Sequence, residues 1–247
     1  MSNARDSRVK LNIVVATAVL AVLGAATEPC YAQVGHPPGS SPYQPLRAKR
    51  VVSVGAGYIW GSAGKAGVGP SDGPVVTARG DQVLTGPLAV NLSVGVANLK
   101  RGLINPNSAP ADSILGYADQ TVTLLDAGIV LMLTGQKTWH GMIPYVDLSL
   151  GVAFGGSVPE DSLSGFVFGT QFTIAPAFGV QWYPSDRLML RTEFRDIIWQ
   201  LRYPPSFFTR PEDDSLSPPV LNPNVENDTE WTHHPTLIFT IGYAIGF

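Results

Sequence analysis

Six charged side chains interrupt stretches of this sequence in which large apolar residues alternate with small ones. They fall on the small-residue faces: Arg79, Asp126, Asp147, Arg191, Glu193 and Arg195. A charge facing lipid costs several kcal/mol near the bilayer centre, whereas a charge inside a barrel can pair with an opposite one. If the alternating stretches are strands of a membrane barrel, these side chains therefore point into its lumen. They could form a gate or narrow polar conduit, or a salt-bridge plug, and the small interior of an eight-stranded barrel favours the plug.

A second group of ionisable residues lies in the proline-rich segment 204–233, where Arg210 is the single arginine or lysine. Its carboxylates are Glu212, Asp213, Asp214, Glu226, Asp228 and Glu230. Oxygen ligands suit hard cations, so this segment could bind a divalent cation that bridges lipopolysaccharide phosphates. The carboxylates lack the spacing of a calcium loop, which favours a solvated surface loop instead.

Catalysis would require a nucleophile and a base at a recognisable spacing. The candidate bases are His140, which falls in a predicted turn, and the pair His233 and His234, which precedes Pro235 at the end of a loop. No nucleophile stands at such a spacing from any of them. We therefore expect no enzymatic activity, no cofactor and no metal centre.

The composition describes a foldable, rather apolar chain of 247 residues, with 45% hydrophobic and 14% charged residues. Its 16 Lys and Arg residues do not cluster or interleave with aromatic residues, so we expect no nucleic-acid partner. Residues 1–32 are typical of a cleaved signal peptide, with basic residues, an apolar run too short to span a bilayer, and small residues near Ala32. Cleavage there would remove Cys30, the single cysteine, and with it any disulfide or thiolate metal site.

Residues 33–50 begin with a run rich in Pro, Gly and Ser and without periodicity, which predicts an extended periplasmic linker. From residue 51 to residue 247 the dominant signal has a period of two. It predicts eight strands, over residues 52–60, 75–81, 88–99, 123–134, 142–155, 168–183, 188–203 and 236–247. The fold class is therefore all-β, a closed antiparallel up-and-down transmembrane barrel.

The predicted connections alternate in length, as they do in transmembrane barrels with short periplasmic turns and long external loops. Short links are expected at residues 80–86, 135–141 and 184–187, and long ones at 61–73, 100–119, 156–165 and 204–233. In the seventh strand the apolar parity switches between Phe194 and Ile197. We interpret this switch as a β-bulge or as a strand leaving the bilayer.

Lipid is the better solvent for the large-residue faces, because rings of Phe, Leu, Ile and Trp from every strand would overfill an eight-stranded interior. Aromatic residues near the strand ends predict two interfacial girdles. The girdle on the periplasmic side would contain Trp139, Tyr145, Trp182, Tyr183 and Phe247. The girdle on the outer side would contain Trp60, Phe154, Phe168, Trp199, Tyr203 and Trp231.

The C-terminal run LIFTIGYAIGF alternates apolar and mostly small residues and finishes on Phe247. With this ending, the region after the linker resembles the small bacterial outer-membrane barrels typified by the OmpA membrane domain, OmpX and OmpW. The resemblance implies that Tyr243, Ile245 and Phe247 form a C-terminal signal read by the barrel assembly machinery. It also implies a bacterial outer-membrane location, contact with outer-membrane lipids and lipopolysaccharide, and a monomeric barrel.

These features predict an integral outer-membrane protein with a structural or surface-interaction role, exerted through its long extracellular loops. Two alternatives share much of the pattern. One is a narrow channel for small solutes. The other is a periplasmic lipocalin-like binding protein, in which the large apolar side chains would line a ligand cavity.

Overall fold

The computed structural model describes residues 41–108, 114–210, 218–224 and 226–245. The predicted signal peptide, residues 33–40 of the predicted linker, and Phe247 lie outside the described residues. In the described part of the chain, no helix is long and apolar enough to cross a membrane.

The described chain is built from antiparallel strands. In chain order they are β1 (Tyr43–Pro45), β2 (Arg50–Ile59), β3 (Gly73–Val83), β4 (Leu88–Ile104), β5 (Ile114–Met132), β6 (Lys137–Trp139), β7 (Met142–Gly155), β8 (Gly169–Trp182), β9 (Leu188–Arg202) and β10 (Thr229–Ala244). A 3-10 turn, Pro205–Phe208, follows β9. The short strands β1 and β6 pair with each other, and the other eight are long.

The eight long strands close into a ring. Hydrogen bonding runs in the order β2, β3, β4, β5, β7, β8, β9 and β10, and β10 pairs with β2 to complete the circle. The closing register runs without interruption from Thr236 opposite Ile59 to Ala244 opposite Val51. Closure satisfies the backbone groups that an open sheet edge would leave unpaired. The predicted eight-stranded antiparallel barrel is confirmed.

Successive connections lie at opposite ends of the ring, and their predicted alternation in length holds except for the β4–β5 and β5–β7 connections, which both have nine residues. One end, called the turn end below, carries the connections at 84–87, 133–141 and 183–187. The opposite end, called the loop end, carries the connections after β2, β4, β7 and β9, of which residues 60–72, 105–108, 156–168, 203–210, 218–224 and 226–228 are described. Strands β4 and β5 reach farther into the loop end than predicted, because their pairing continues to Ile104 and Ile114.

Large apolar side chains cover the outside of the barrel. Val54, Leu92, Ile129, Phe178 and Phe239 each expose about 60% of their surface. Residues that alternate with them, such as Ser53, Ser93 and Ser149, are buried inside. A surface of this kind is suited to lipid and not to water, as in membrane barrels.

Strand β9 has no bulge, so that interpretation of its parity switch is wrong. Its odd-numbered residues point inward from Met189 to Leu201, and its pairing with β10 is regular throughout. What changes along the strand is the inner face, from charged residues such as Arg195 to apolar residues such as Trp199. The outer face changes in the opposite sense, to Asp196, Gln200 and Arg202. This pattern agrees with the second interpretation, a strand that leaves the bilayer.

The predicted aromatic girdles are only partly correct. Exposed aromatic residues do lie at both ends: Trp139 and Trp182 at the turn end, and Trp60, Phe154 and Trp231 at the loop end. Four others predicted to face lipid are instead buried inside the barrel: Tyr145, Phe168, Trp199 and Tyr203. Phe168 departs from the alternation because Gly169, at φ 64°, takes a left-handed conformation that redirects the chain before β8.

The apolar exterior makes the barrel wall sensitive to charge at mid-height. Leu148, near the middle of β7, exposes 53% of its surface, and Leu148→Arg is expected to lower the free energy of unfolding in lipid vesicles by about 2–4 kcal/mol. Tyr117→Arg, on the part of β5 beyond the ring, serves as the control and should change it little. Urea titrations of vesicle-inserted protein measure both, and equal effects at the two positions would contradict a lipid-facing wall.

Candidate functional site

A network of charged side chains fills the middle of the barrel. Arg79 on β3 lies at its centre and makes three ion pairs. Its guanidinium is 2.9 Å from Asp81, 3.0 Å from Asp147 and 3.0 Å from Glu193. Three carboxylates from β3, β7 and β9 thus converge on one cation, which ties opposite walls of the barrel together.

Two further arginines on β9 extend this charge network. Arg191 pairs with Asp81 at 2.6 Å, while Arg195 pairs with Glu193 at 2.9 Å and with Asp126 on β5 at 3.6 Å. The structure thus places all six predicted charges in one network. Asp81 was missed as a member because it sits at the edge of the weakest predicted strand. Its position two residues after Arg79, on the same face of β3, was the available signal.

Neutral side chains add hydrogen bonds to the network, although among the described residues Asn91 Oδ1 and Arg191 Nε are buried without a hydrogen-bond partner. Tyr145 donates to Glu193 at 2.6 Å, and Asn91 donates to Asp147 at 3.0 Å. Ser93 and Thr173 both donate to Asp126 at 3.3 Å. Such bonds offset part of the cost of burying charge.

Close packing leaves little room around these groups. A Cβ added to Gly128 would lie within 2.7 Å of Ser149, Asn91 and Asp147, so this part of the network fits only beside a glycine. Side chains in the ion pairs expose at most 8% of their surface. The charges are therefore almost entirely shielded from water, and the geometry is that of a plug.

The turn end is crossed by residues 42–49, called the N-terminal strap below. The Pro42 carbonyl accepts from the His140 amide at 2.9 Å, the Leu46 amide donates to Gln136 at 2.9 Å, and the Lys49 carbonyl accepts from the Val83 amide at 2.8 Å. This part of the predicted linker is therefore fastened to the barrel at both of its ends.

Two side chains, Leu46 of the strap and Tyr183 of the β8–β9 turn, fill the barrel mouth. Leu46 and Tyr183 are partly buried and pack against Met132, Ile143 and Met189. Burial raises the pKa of Tyr183 to about 12, so its phenol stays protonated and donates to Gln181 at 3.0 Å. The turn end is closed by apolar contact as well as by backbone pairing.

The loop end is closed by aromatic packing. Trp199 stacks on the His234 ring at 3.8 Å between centroids and meets Phe168 edge-on at 5.3 Å. His234 is itself held inside, with its ring nitrogens 3.1 Å from the Pro70 carbonyl and 3.2 Å from the Ile197 carbonyl. The first long loop is thus bound to the β9–β10 wall.

Another ion pair anchors the β7–β8 loop. Arg101 on β4 pairs with Asp161, and its guanidinium lies 4.8 Å from the centroid of the Phe166 ring. Tyr203 and Phe207 stack beside this group at 5.9 Å. The bases of the long loops therefore form one packed layer over the charge network.

Two acidic residues of the predicted loop 204–233, Glu226 and Glu230, make structural contacts. Glu230 accepts from the Tyr203 hydroxyl at 2.6 Å and from the Lys65 amide at 2.9 Å. Burial and this bond to Glu230 raise the pKa of the Tyr203 phenol. Glu226 accepts from the Asn222 amide at 2.8 Å. Among the described residues no group of three or more His, Cys, Asp or Glu could hold a metal ion. Glu212, Asp213 and Asp214 lie outside them.

The three candidate histidines do not come together as one site. His140 sits at the turn end with φ 49° and packs edge-on against Trp139. His233 is exposed on the outer face of β10, with Nδ1 2.6 Å from the Asp196 carboxylate. His234 is the buried partner of Trp199. In the described part of the chain the side-chain hydrogen bond of His233 goes to Asp196 and not to a nucleophile.

Two residues of the predicted assembly signal are described, Tyr243 on the outer face of β10 and Ile245 directly after the strand. Tyr243 and Ile245 each expose about half of their surface at the turn end, beside the seam with β2. Phe247 is outside the described residues. The role of the three residues in assembly stays a prediction.

The charge network predicts a large response to loss of one member. Glu193→Ala leaves Arg79 and Arg195 without their shared carboxylate and is expected to destabilise the barrel by about 3–5 kcal/mol. Glu160→Ala, in an exposed loop, is the matched control and should stay within about 0.5 kcal/mol of the unsubstituted protein. Urea titrations of the vesicle-inserted proteins measure both free energies of unfolding. A loss for Glu193→Ala no larger than that for Glu160→Ala would show that the network does not stabilise the barrel.

No protein-family model matches this chain, and no curated protein matches its sequence. Its structure is similar to that of Neisserial surface protein A, with 13% identity, a TM-score of 0.49, and coverage of 79% of this chain and 97% of that one. The outer membrane protein OprG from Pseudomonas aeruginosa is similar at 10% identity and TM-score 0.48, covering 82% and 99%. Ail from Yersinia pestis is similar at 10% identity and TM-score 0.40, covering 81% and 100%.

The closed ring, the apolar exterior and the tryptophans at both ends are features of this chain itself. They identify it as a small β-barrel of the bacterial outer-membrane type.

Proposed function

We propose that this barrel is a non-enzymatic integral protein of the bacterial outer membrane whose role is structural or lies in surface interaction through its long external loops. The observation that carries the proposal is the filled interior. The charge network fills the middle of the barrel and both ends are packed. The outer wall and the loop end are therefore the surfaces that can contact other molecules.

The β4–β5 hairpin is the part of the loop end best placed for contact. Pairing between β5 and β7 ends at Val122, whereas pairing between β4 and β5 continues to Ile104 and Ile114. On the β5 side the hairpin therefore extends beyond β7, while on the β4 side it is hydrogen-bonded to the β2–β3 loop as far as Gly102. It is braced at its base, where Gln120 donates to the Gly156 carbonyl at 2.7 Å.

The projecting strand carries large apolar side chains that pack against little else. Ile114, Leu115 and Tyr117 expose 66%, 53% and 77% of their surface. Exposed apolar residues in a group are typical of interaction sites. They support a surface role for this hairpin, beyond the lipid-facing wall.

The two alternative functions have less support. A lipocalin-like binder would place large apolar side chains around an internal cavity, but here residues such as Phe178 and Phe239 point outward. A narrow channel would require a conduit through the charge network, whose side chains are buried and paired.

The proposed orientation is testable with single cysteines, because Cys30 in the predicted signal peptide is the chain's single native cysteine. Tyr117→Cys is expected to react with a bulky, membrane-impermeant maleimide in intact cells. Lys137→Cys, exposed at the turn end, should react only after the outer membrane is permeabilised. Gel-shift detection measures both. Labelling of Lys137→Cys alone in intact cells would reverse the assignment of loops and turns.

The plug also predicts an electrically silent barrel. Purified protein inserted into planar bilayers is expected to show no single-channel steps, since ion movement would require breaking several buried ion pairs at once. Removal of the strap, residues 42–49, should leave it silent, because the charge network remains. Reproducible steps from the unsubstituted protein, lost in a folded variant with a bulkier interior, would favour the channel.

A further inference from the structure

An apolar groove runs along the outside of β3 in the turn-end half of the barrel. The small outward residues Ala78 and Gly80 form its floor. In the register of the sheet, Ala78 lies between Val54 and Val94, and Gly80 lies between Val52 and Leu92. The groove has a volume of about 710 Å³ and continues toward the loop end into a second one of about 780 Å³.

The floor of the groove is open to the outside. A Cβ added to Gly80 would meet no atom within 4 Å, so the glycine is not required by internal packing. The groove is therefore a depression in the lipid-facing wall that a slender apolar chain can enter.

Two arginines stand at the turn-end mouth of the groove. Arg50 lies two residues before Val52 on the outer face of β2, and its Nε donates to Gln82 on β3 at 2.6 Å. Arg187 donates to the Tyr243 hydroxyl at 3.3 Å, and the Tyr243 ring lines the groove. Among the described residues neither guanidinium is ion-paired, and both side chains are exposed. Guanidinium groups bind phosphate with two parallel hydrogen bonds, which suits this position to an anion.

The excess of exposed basic residues at the turn end also favours an anionic ligand. The described connections and strap of this end carry one exposed acidic residue, Asp186, which pairs with Arg47, against four exposed basic ones, Arg47, Lys49, Lys137 and Arg187; a fifth, Arg50, begins β2 directly after the strap. Basic residues beside a membrane attract anionic headgroups. The apolar groove and the cationic mouth therefore match the two halves of one ligand.

The geometry points to a binding site for one phosphoglycerolipid of the turn-end leaflet. An acyl chain lies along β3 over Gly80 and Ala78, and the phosphate diester is contacted by Arg50, Arg187 and the Tyr243 hydroxyl. The site rests on the proposed function, because it requires the barrel to be in a membrane. A lipopolysaccharide molecule would occupy the opposite leaflet, and a second barrel would cover the groove without using the arginines as phosphate ligands.

The test is native mass spectrometry of the complete barrel, extracted into mild detergent from phosphatidylcholine vesicles that contain a minor fraction of phosphatidylglycerol. One phosphatidylglycerol is expected to remain bound, and diacylglycerol, which lacks the phosphate, is not. Arg50→Gln and Arg187→Gln should each lower retention by about tenfold, the loss of a charged hydrogen bond. Gly80→Leu should lower it by filling the groove.

Matched controls separate this site from general attraction. Lys137→Gln removes a turn-end charge away from the groove, and Val146→Phe adds the same number of carbons as Gly80→Leu on the outer face of β7. Both should retain the lipid. The proposal is overturned if the arginine variants retain as much lipid as the unsubstituted barrel or if Lys137→Gln loses as much. Equal retention of diacylglycerol, or a bound second barrel or lipopolysaccharide in place of the lipid, would also overturn it.

Every variant is first checked for heat-modifiable mobility on gels, which reports the closed barrel. A chain that proves soluble without detergent would end the proposed function together with this site. A barrel that inserts but retains no lipid would end the site alone.

Discussion

Closure of the hydrogen-bonded ring is the constraint on which the rest of this structure depends. In hydrocarbon no water is present to satisfy a free backbone N–H or C=O, and the pairing of β10 with β2 satisfies the two edges that an open sheet would leave unpaired. Once the ring is closed, the period of two along each strand decides what faces lipid and what faces inward. The charged side chains can then avoid lipid only by pointing inward. Because the interior of an eight-stranded barrel is narrow, they contact one another there.

The interior is divided by chemistry into layers. Near the turn end, Leu46 and Tyr183 form an apolar seal. The charge network occupies the middle, where Arg79 joins carboxylates from three strands. Beyond it the inner face becomes aromatic, with Trp199 between Phe168 and His234. Breaking a buried ion pair is far more costly than its net contribution to stability suggests, because the remaining charge is left uncompensated. The network therefore resists any rearrangement that would open a path through the barrel.

Much of this architecture is predictable from the sequence because alternation is a local signal. The strands and the inward direction of residues such as Asp147 follow from it without knowledge of any partner. The prediction that Trp199 faces lipid is wrong because a strand that extends beyond the bilayer can carry large residues on its inner face. The loops that fill the space beside this face are not visible in the local pattern of the strand. Phe168 was misplaced because one left-handed glycine changes the phase of the chain. The strap was unpredictable for a different reason, since its partners on β6 are some ninety residues away and its own sequence has no period.

The path of the strap has a mechanical consequence. The described chain first contacts the barrel where Pro42 meets His140, next to β7, and joins the wall at β2, on the opposite side of the ring. The eight residues of the strap thus cross the turn-end mouth of the barrel from one side of the ring to the other. A pull on the chain before Pro42 would be borne first by the β1–β6 pairing on the far rim. The seam between β2 and β10 would be loaded only after that pairing and the contacts of Leu46 had given way. The β1–β6 pairing, where the pulling force first acts, is therefore separate from the β2–β10 seam, whose opening would unfold the barrel.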